Sequence, residues 1–418
     1  MITLKRKEDC CGCYACETVC PAQCITMRED SEGFMYPETD VSKCIDCHLC
    51  EKVCPVINSP LRTGLNVPLT KDFLAEPQVF AAQCSSDELR MASSSGGVFT
   101  VLAERIIQNG GVVFGVRWSE DFTEVFHDFT ETVEGLAAFR GSKYLQSKIG
   151  DAFKKCREFL RAGREVMFTG TPCQIAGLRR ALRRDFPNLL AIDIACHSTP
   201  SPKAWNAYLA GLIAREKLGK VRNVFFRKKI FDKKRNAWDC TKFFVEGESR
   251  TYINSVYGMS YGVGFLNGLF SRPSCPECPS KNRTSGSDIS IGDFWGVEKY
   301  YPSLRMRDGL SVVVCHTWRG ISAFDAVKPS FRILQNATYE QAIAANGGLR
   351  PETQKHPDRE AFFEAFNGAT TSSEVVAIFR KFTKVPFPRL MYNFIMRCVR
   401  VLLRCAGILN FAKRILRK

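Results

Sequence analysis

The sequence predicts an α+β protein in three parts: a small cysteine-rich domain, an α/β body and a helical tail. Three observations carry this reading. Two matched cysteine runs crowd residues 10 to 54. From residue 77 onward, short apolar runs alternate with stretches of helical spacing, and the turns between them carry Gly, Ser and Cys. Residues 389–418 hold eight Lys/Arg and no Asp/Glu, with apolar residues at helical spacing between them.

The opening stretch is Cys10-x-x-Cys13-x-x-Cys16-x-x-x-Cys20-Pro21, followed by Cys44-x-x-Cys47-x-x-Cys50-x-x-x-Cys54-Pro55. This is the two-cluster ferredoxin spacing, present twice with every ligand in place. Three thiolates on one tight loop reach three corners of a cubane, and the fourth crosses to the other cluster. Cys10, Cys13, Cys16 and Cys54 are therefore assigned to one [4Fe-4S] cluster, and Cys44, Cys47, Cys50 and Cys20 to the second. The prolines turn the chain after each crossing ligand. Zinc sites use paired Cys-x-x-Cys arms, and a disulfide framework suits a small secreted domain, so neither fits this pattern. Cys11 and Cys24 fall outside the scheme, although Cys11 beside Cys10 leaves a one-residue ligand swap open.

At 418 residues the chain is too long for a ferredoxin alone and predicts two or three domains. Twenty cysteines behind a start that lacks an apolar signal region point to a reducing, cytoplasmic setting. No run of 18 uninterrupted apolar residues predicts a spanning helix. Half of the formal net charge of +16 lies in the tail, and no nucleic-acid motif accompanies it, so nucleic acid is not an expected partner.

In order, residues 1–58 form the two-[4Fe-4S] ferredoxin domain and 59–76 a linker carrying Pro60, Gly64 and Pro68. The body divides into a first part, 77–155, and a second, 156–350. Val79–Ala82 reads as a strand. Ser93-Ser94-Ser95-Gly96-Gly97 then feeds a helix marked by Val98, Phe99, Leu102, Ile106 and Ile107. Small residues before a helix start expose backbone N–H groups and suit a phosphate, with ordinary N-capping the competing reading. Val112–Val116 is a buried strand. Phe139-Arg140-Gly141-Ser142-Lys143-Tyr144 is a small basic loop, and a helix runs from Phe153 to Leu160. Glu165–Thr169 is a strand ending in Gly170-Thr171-Pro172-Cys173-Gln174, where Pro172 opens the next helix. Leu189–Ile194 is a strand ending at Ala195-Cys196-His197. Residues 220–258 are β-rich and basic, read as amphipathic strands with solvated charges. Asp288–Gly296 reads as a strand into a turn, and Leu310–Trp318 as a core strand.

Cys275-x-x-Cys278 is half of a third metal site, for iron-sulfur or zinc on spacing alone. Cys173 and Cys196 are the best candidates for its other ligands, because each follows a predicted strand end. Cys84, Cys156, Cys240, Cys315, Cys398 and Cys405 sit in strand-like or helical runs and suit burial. Residues 351–418 are helical. The final stretch, with Arg397, Arg400 and Arg404 on one stripe, suits an anionic membrane surface or a docked terminal helix. The expected location is cytoplasmic, with a peripheral place at the inner face of the membrane as the option the tail adds.

The segments Ser94–Thr100, Gly141–Tyr144, Phe168–Gln174, Cys196-His197, and Pro273-Ser274-Cys275-x-x-Cys278 with Ser287–Gly296 resemble, in order, the coenzyme F-420 hydrogenase/dehydrogenase beta-subunit family over about residues 1–320. The group includes chlorophyll-cycle 7-hydroxymethyl reductases, and bacterial relatives with a fused dicluster domain often accompany polysaccharide-synthesis enzymes. The resemblance implies an α/β flavin- and cluster-binding body. It implies Cys173, Cys196, Cys275 and Cys278 as ligands of a third [4Fe-4S] cluster, and Ser94, Ser95, Gly96, Gly97, Lys143 and Thr171 as FAD contacts. Relatives commonly carry Gly where this chain has Ser198.

The expected function is an iron-sulfur flavoprotein oxidoreductase. It would link a ferredoxin or other redox partner protein to a small-molecule two-electron acceptor, with no catalytic residue assigned. Two alternatives stand beside it: a non-catalytic electron-transfer subunit of a larger complex, and a membrane-associated adaptor in polysaccharide synthesis.

Overall fold

The computed structural model describes residues 1–63, 70–233, 237–350 and 355–384. The basic tail from residue 389 onward lies outside the described residues, with Cys398 and Cys405. Among the described residues, no helix is long and apolar enough to cross a membrane.

The cysteine runs flank a hairpin of β1 (Ile25–Glu29) and β2 (Met35–Thr39), paired antiparallel. Each run ends in one short helix turn, Ala15–Val19 or Leu49–Lys52. The body is built on β3 (Phe73–Cys84), β4 (Val112–Trp118), β5 (Val125–Thr130), β6 (Val166–Gly170), β7 (Leu189–Ile194), β8 (Val221–Asp232), β9 (Ala237–Gly247), β10 (Thr251–Ser255), β11 (Ile289–Asp293), β12 (Ser311–Thr317) and β13 (Phe331–Ala337). Eight of these make one sheet in the order β13-β3-β12-β11-β7-β6-β4-β5. Within it β4, β6, β7 and β11 run parallel, and antiparallel strands close both edges. The basic β-rich stretch forms a separate antiparallel sheet, β10-β9-β8.

The central strands are apolar on both faces because helices cover both faces. Phe114, Phe168 and Ala191 point to one side, against Phe153, Leu178 and the cysteine domain. Their neighbours Val113, Met167 and Leu190 point to the other side, against Leu102 and Ile106. Pro172 and a Thr171/Gln174 capping box start the helix Pro172–Leu182.

Several boundaries differ from the sequence reading. β3 starts at Phe73 rather than after residue 76, because Phe73 pairs with Thr317 beyond a register shift. The 155/156 division falls inside the helix Ala152–Arg161, and the eight-stranded sheet runs through both parts. The helical stretch after residue 350 contains Arg359–Gly368 and Ser372–Phe382.

The cysteine domain shares its core with the body: Cys11, Cys13, Tyr14, Val53 and Val56 pack with Ile175, Leu178 and Leu182. At its far side, Arg359 pairs with Glu32 and Lys203 Nζ donates to Ser31 O at 3.0 Å.

Candidate functional site

The thiols of the two runs come together in the cysteine domain. Cys16 lies in the electrostatic field of Cys10, Cys54 and Cys50, and Cys13 in that of Cys54 and Cys16. Cys20, Cys44, Cys47 and Cys50 together line a small cavity of about 20 Å³, with Cys24. Backbone N–H groups turn toward the sulfurs, as at Gly12 N to Cys10 Sγ, 3.3 Å. Burial pushes the Cys16 thiol up, and it also raises Cys50 and Cys54. Metal loading must therefore displace protons that these thiols would otherwise keep.

The two cysteines outside the scheme are not idle neighbours. Cys24 Sγ is 3.4 Å from Cys20 Sγ. The Cys11 thiol is buried and interacts with both Cys13 and Cys173, so it stands between the first thiol set and the body.

Cys173, Cys196, Cys275 and Cys278 do converge. Cys173 occupies the first turn of the helix after β6, and Cys196 follows the end of β7. Cys196 lies in the field of Cys173, Cys275 and Cys278. Thr199 N donates to Cys275 Sγ at 3.3 Å. Burial raises the Cys278 thiol to about 12. Among the described residues, no three His, Cys, Asp or Glu side chains are grouped to hold a single metal ion. A cubane spreads its four thiolates over four irons and needs no such grouping. Ser198, the departure from the motif, is buried and accepts a 2.7 Å bond from Ser271 Oγ. Cys84, Cys156, Cys240 and Cys315 are buried, as their positions in strands and helices predict.

A cavity of about 310 Å³ opens beside this quartet, outside the carboxyl ends of β4, β6, β7 and β11. That is where ligands bind in open α/β sheets. Cys196, His197 and Thr171 line it, as do Ser94, Ser95, Gly97, Val98 and Lys143, and Phe99, Phe139, Phe265 and Trp295 supply aromatic surface. The helix Val98–Gln108 starts from Gly97 at φ +90° with no side-chain cap, so its first N–H groups are offered to the cavity.

The Ser/Gly loop is held from behind. Lys229 Nζ donates to Arg90 O (2.9 Å), Ser95 O (2.8 Å) and Ser93 O. Ser94 Oγ accepts from Ser142 N at 2.8 Å, which ties the loop to the basic one. Gly96 does not line the cavity. Its N–H donates to Ser311 Oγ at 2.8 Å, and a Cβ there would stand 2.3 Å from Ala82 O. Gly96 serves close packing on the sheet.

Lys143 Nζ caps carbonyls of its own loop, with Arg140 O at 3.1 Å, and burial draws its ammonium down to about 7. The Thr171 turn is fixed by a buried chain. Gln174 Oε1 accepts from Thr171 N (2.9 Å), Gln174 Nε2 donates to Ser147 Oγ (2.9 Å), and Ser147 meets His127 Nδ1 (3.3 Å). Burial lowers His127 to about 4.

Sequence reasoning missed Arg227, which pairs with Asp293 at 2.7 Å and lies 5.6 Å from the Trp295 ring centre in the cavity wall. It also missed Asn346 and Phe265. Asp288 of the same motif is structural: fully buried, it pairs with Arg179 at 2.7 Å and accepts from Ala191 N.

Comparison with known proteins agrees with the motifs. Residues 163–338 match the family model for the carboxyl-terminal part of the coenzyme F420 hydrogenase/dehydrogenase beta subunit, and residues 9–58 match the 4Fe-4S dicluster domain. None of the curated proteins matches the chain. One similar solved structure is described as "Xenon derivatization of the F420-reducing [NiFe] hydrogenase complex from Methanosarcina barkeri". It is 17% identical, covers 76% of this chain and 93% of its own, and has a TM-score of 0.43, too distant to carry an argument. A 4Fe-4S dicluster match near the amino end is thus followed by a match to an oxidoreductase family over residues 163–338.

Proposed function

We propose that the chain is an iron-sulfur flavoprotein oxidoreductase. Cys173, Cys196, Cys275 and Cys278 hold a third [4Fe-4S] cluster and the cavity holds FAD. Single electrons received by the dicluster domain are thereby coupled to two-electron chemistry on a small-molecule acceptor, or the reverse. Clusters exchange one electron at a time, whereas a flavin takes or gives one or two. The observation that carries this reading is that Cys196 and an uncapped helix start at Gly97 line the same cavity.

The residues present suit both groups. The N–H groups that follow Gly97, with Ser94 beside them, fit a pyrophosphate. The aromatic walls fit a flat ring and exclude water from it. The hydrogen-bonded chain from Thr171 to His127 keeps the Cys173 turn still. Lys143 lines the cavity and, drawn toward neutrality by burial, is a candidate to hold or release a proton at Nζ.

Anaerobic purification tests the reading. Three cubanes require about twelve irons per chain, and denaturation should release FAD. Cys196→Ala should lose about four irons and the dithionite reduction of bound flavin. Protein that binds no flavin, or carries zinc in place of iron, overturns the proposal. A preparation reoxidised only by other proteins, never by small molecules, would make it an electron carrier instead.

A further inference from the structure

Arg272 is 1% exposed, and no carboxylate among the described residues pairs with it. Its donors go to neutral acceptors: Nε to Cys10 O (2.8 Å), Nη1 to Gln146 Oε1 (2.9 Å) and Nη2 to Met35 O (2.9 Å). The guanidinium lies over the Tyr36 ring at 4.3 Å and faces Cys10, Cys11 and Cys275. A cation this deep needs a negative partner. The thiolates of the inner set and of the body quartet are the groups it faces. Arg180 adds a second positive charge: Nη2 donates to Asn58 O at 2.8 Å, buried Nε has no partner, and Cys54 and Cys13 lie in its field.

Around Cys20, Cys44, Cys47 and Cys50 the charges are instead paired among themselves. Asp40 pairs with Lys43 at 2.7 Å, Glu51 with His48 at 2.8 Å, and Asp46 and Glu51 with the Met1 ammonium. These groups are largely exposed and therefore screened.

We propose that Arg272, assisted by Arg180, holds the inner cluster and the Cys173–Cys278 cluster at higher reduction potentials than the outer cluster. The chain's own charges would then order the relay. The inference rests on the cluster assignments above. Reduction adds one negative charge to a cluster that is already anionic. Burial alone opposes that, while an unpaired guanidinium in the same low-dielectric setting favours it. Arg272 faces both inner thiol sets, and nothing comparable among the described residues faces the outer one. One electron supplied by a one-electron donor protein to the outer cluster oxidises that donor; its onward passage oxidises the outer cluster and reduces the inner. Arg272 is a positioning charge and takes no part in bond making.

The test is an anaerobic potentiometric titration of the full chain, with each cluster followed by electron paramagnetic resonance. Cys47→Ser identifies the outer signal by its loss. The outer cluster should have the lowest potential. Arg272→Met should lower both inner potentials. The outer-to-inner electron partition should change at least tenfold, about 59 mV for a one-electron couple. Arg272→Lys should keep most of the gap, and Arg180→Met should move only the cluster of Cys10, Cys13, Cys16 and Cys54. An outer cluster with the highest potential, or fully iron-loaded Arg272→Met with an unchanged gap, overturns the proposal. Should Arg272→Met lose iron, an unmoved inner potential in Arg180→Met overturns it equally. Eight irons per chain would defeat the third cluster of the proposed function while leaving the inner–outer comparison intact.

Discussion

Residues 10–20 and 44–54 repeat one ligand spacing, and their backbones turn alike. Gly12 and Asp46 occupy equivalent places and both take left-handed φ (+67° and +50°), as do Tyr14 and His48 (+63° and +56°). Their surroundings differ. The first run is pressed into the body, with Cys13, Tyr14 and Cys16 buried. The second faces solvent: Cys47 is exposed, and Ile45 and Val41 are 66% and 67% accessible. The left-handed turn alone does not demand glycine, since Asp46 adopts it. Packing demands it at position 12, where a Cβ would stand 2.8 Å from both Arg272 Nη1 and Gln146 Nε2. The same motif is a structural wedge in one copy and a solvent-facing loop in the other.

The widest separation between the copies should come from deleting a ligand. Cys13→Ser should remove about four irons and loosen the shared core, lowering the melting temperature sharply. Cys47→Ser should remove a similar amount of iron with the body still folded. Iron analysis with thermal melts checks this, and equal destabilisation would erase the contrast.

Buried and exposed regions should also part with pH. His127 falls from an ordinary 6.5 to about 4 in the folded protein, so the unfolded chain binds the extra proton first. Its contribution is present above about pH 6.5 and lost as pH drops toward 4, amounting to about 3 kcal/mol. His316, lowered to about 3 by burial, acts in the same direction. Asp193, raised to about 6 by burial, acts oppositely: its contribution is present below about pH 4 and lost as pH rises through 6. Denaturation of wild type and His127→Gln across this range isolates the His127 part; identical profiles would refute it.

A comparable effect is expected at the wedge itself. Gly12→Ala should cost about 2–4 kcal/mol from strain plus crowding, whereas Asp46→Ala should stay within about 0.5 kcal/mol. Chemical denaturation measures both. Gly177→Ala should cost about 1–3 kcal/mol, because its new Cβ would meet Cys13 Cβ at 2.7 Å. A neutral Gly177→Ala would mean the cysteine domain rides loosely on its helix.

The sequence was most legible where chemistry is local. Ligand spacing, strand ends and Pro172 are short-range signals, and the strand Leu189–Ile194 has the bounds its pattern predicts. The hairpin β1–β2 and the edge strands β5 and β13 escaped notice. β13 alternates too little burial to show a period, because one edge faces solvent. Arg272 was illegible for another reason: its three acceptors lie 262, 126 and 237 residues away. The meeting of Cys11 with Cys173 is likewise a product of domain docking, which no window of sequence contains.

The helix Pro172–Leu182 holds Cys173 in its first turn and rests Gly177 on Cys13. Four residues of helix, about 6 Å of rise, separate those points. Tunnelling falls off steeply with separation, so under the proposed cluster assignment this one rigid rod would fix the length of the hop between the two sites.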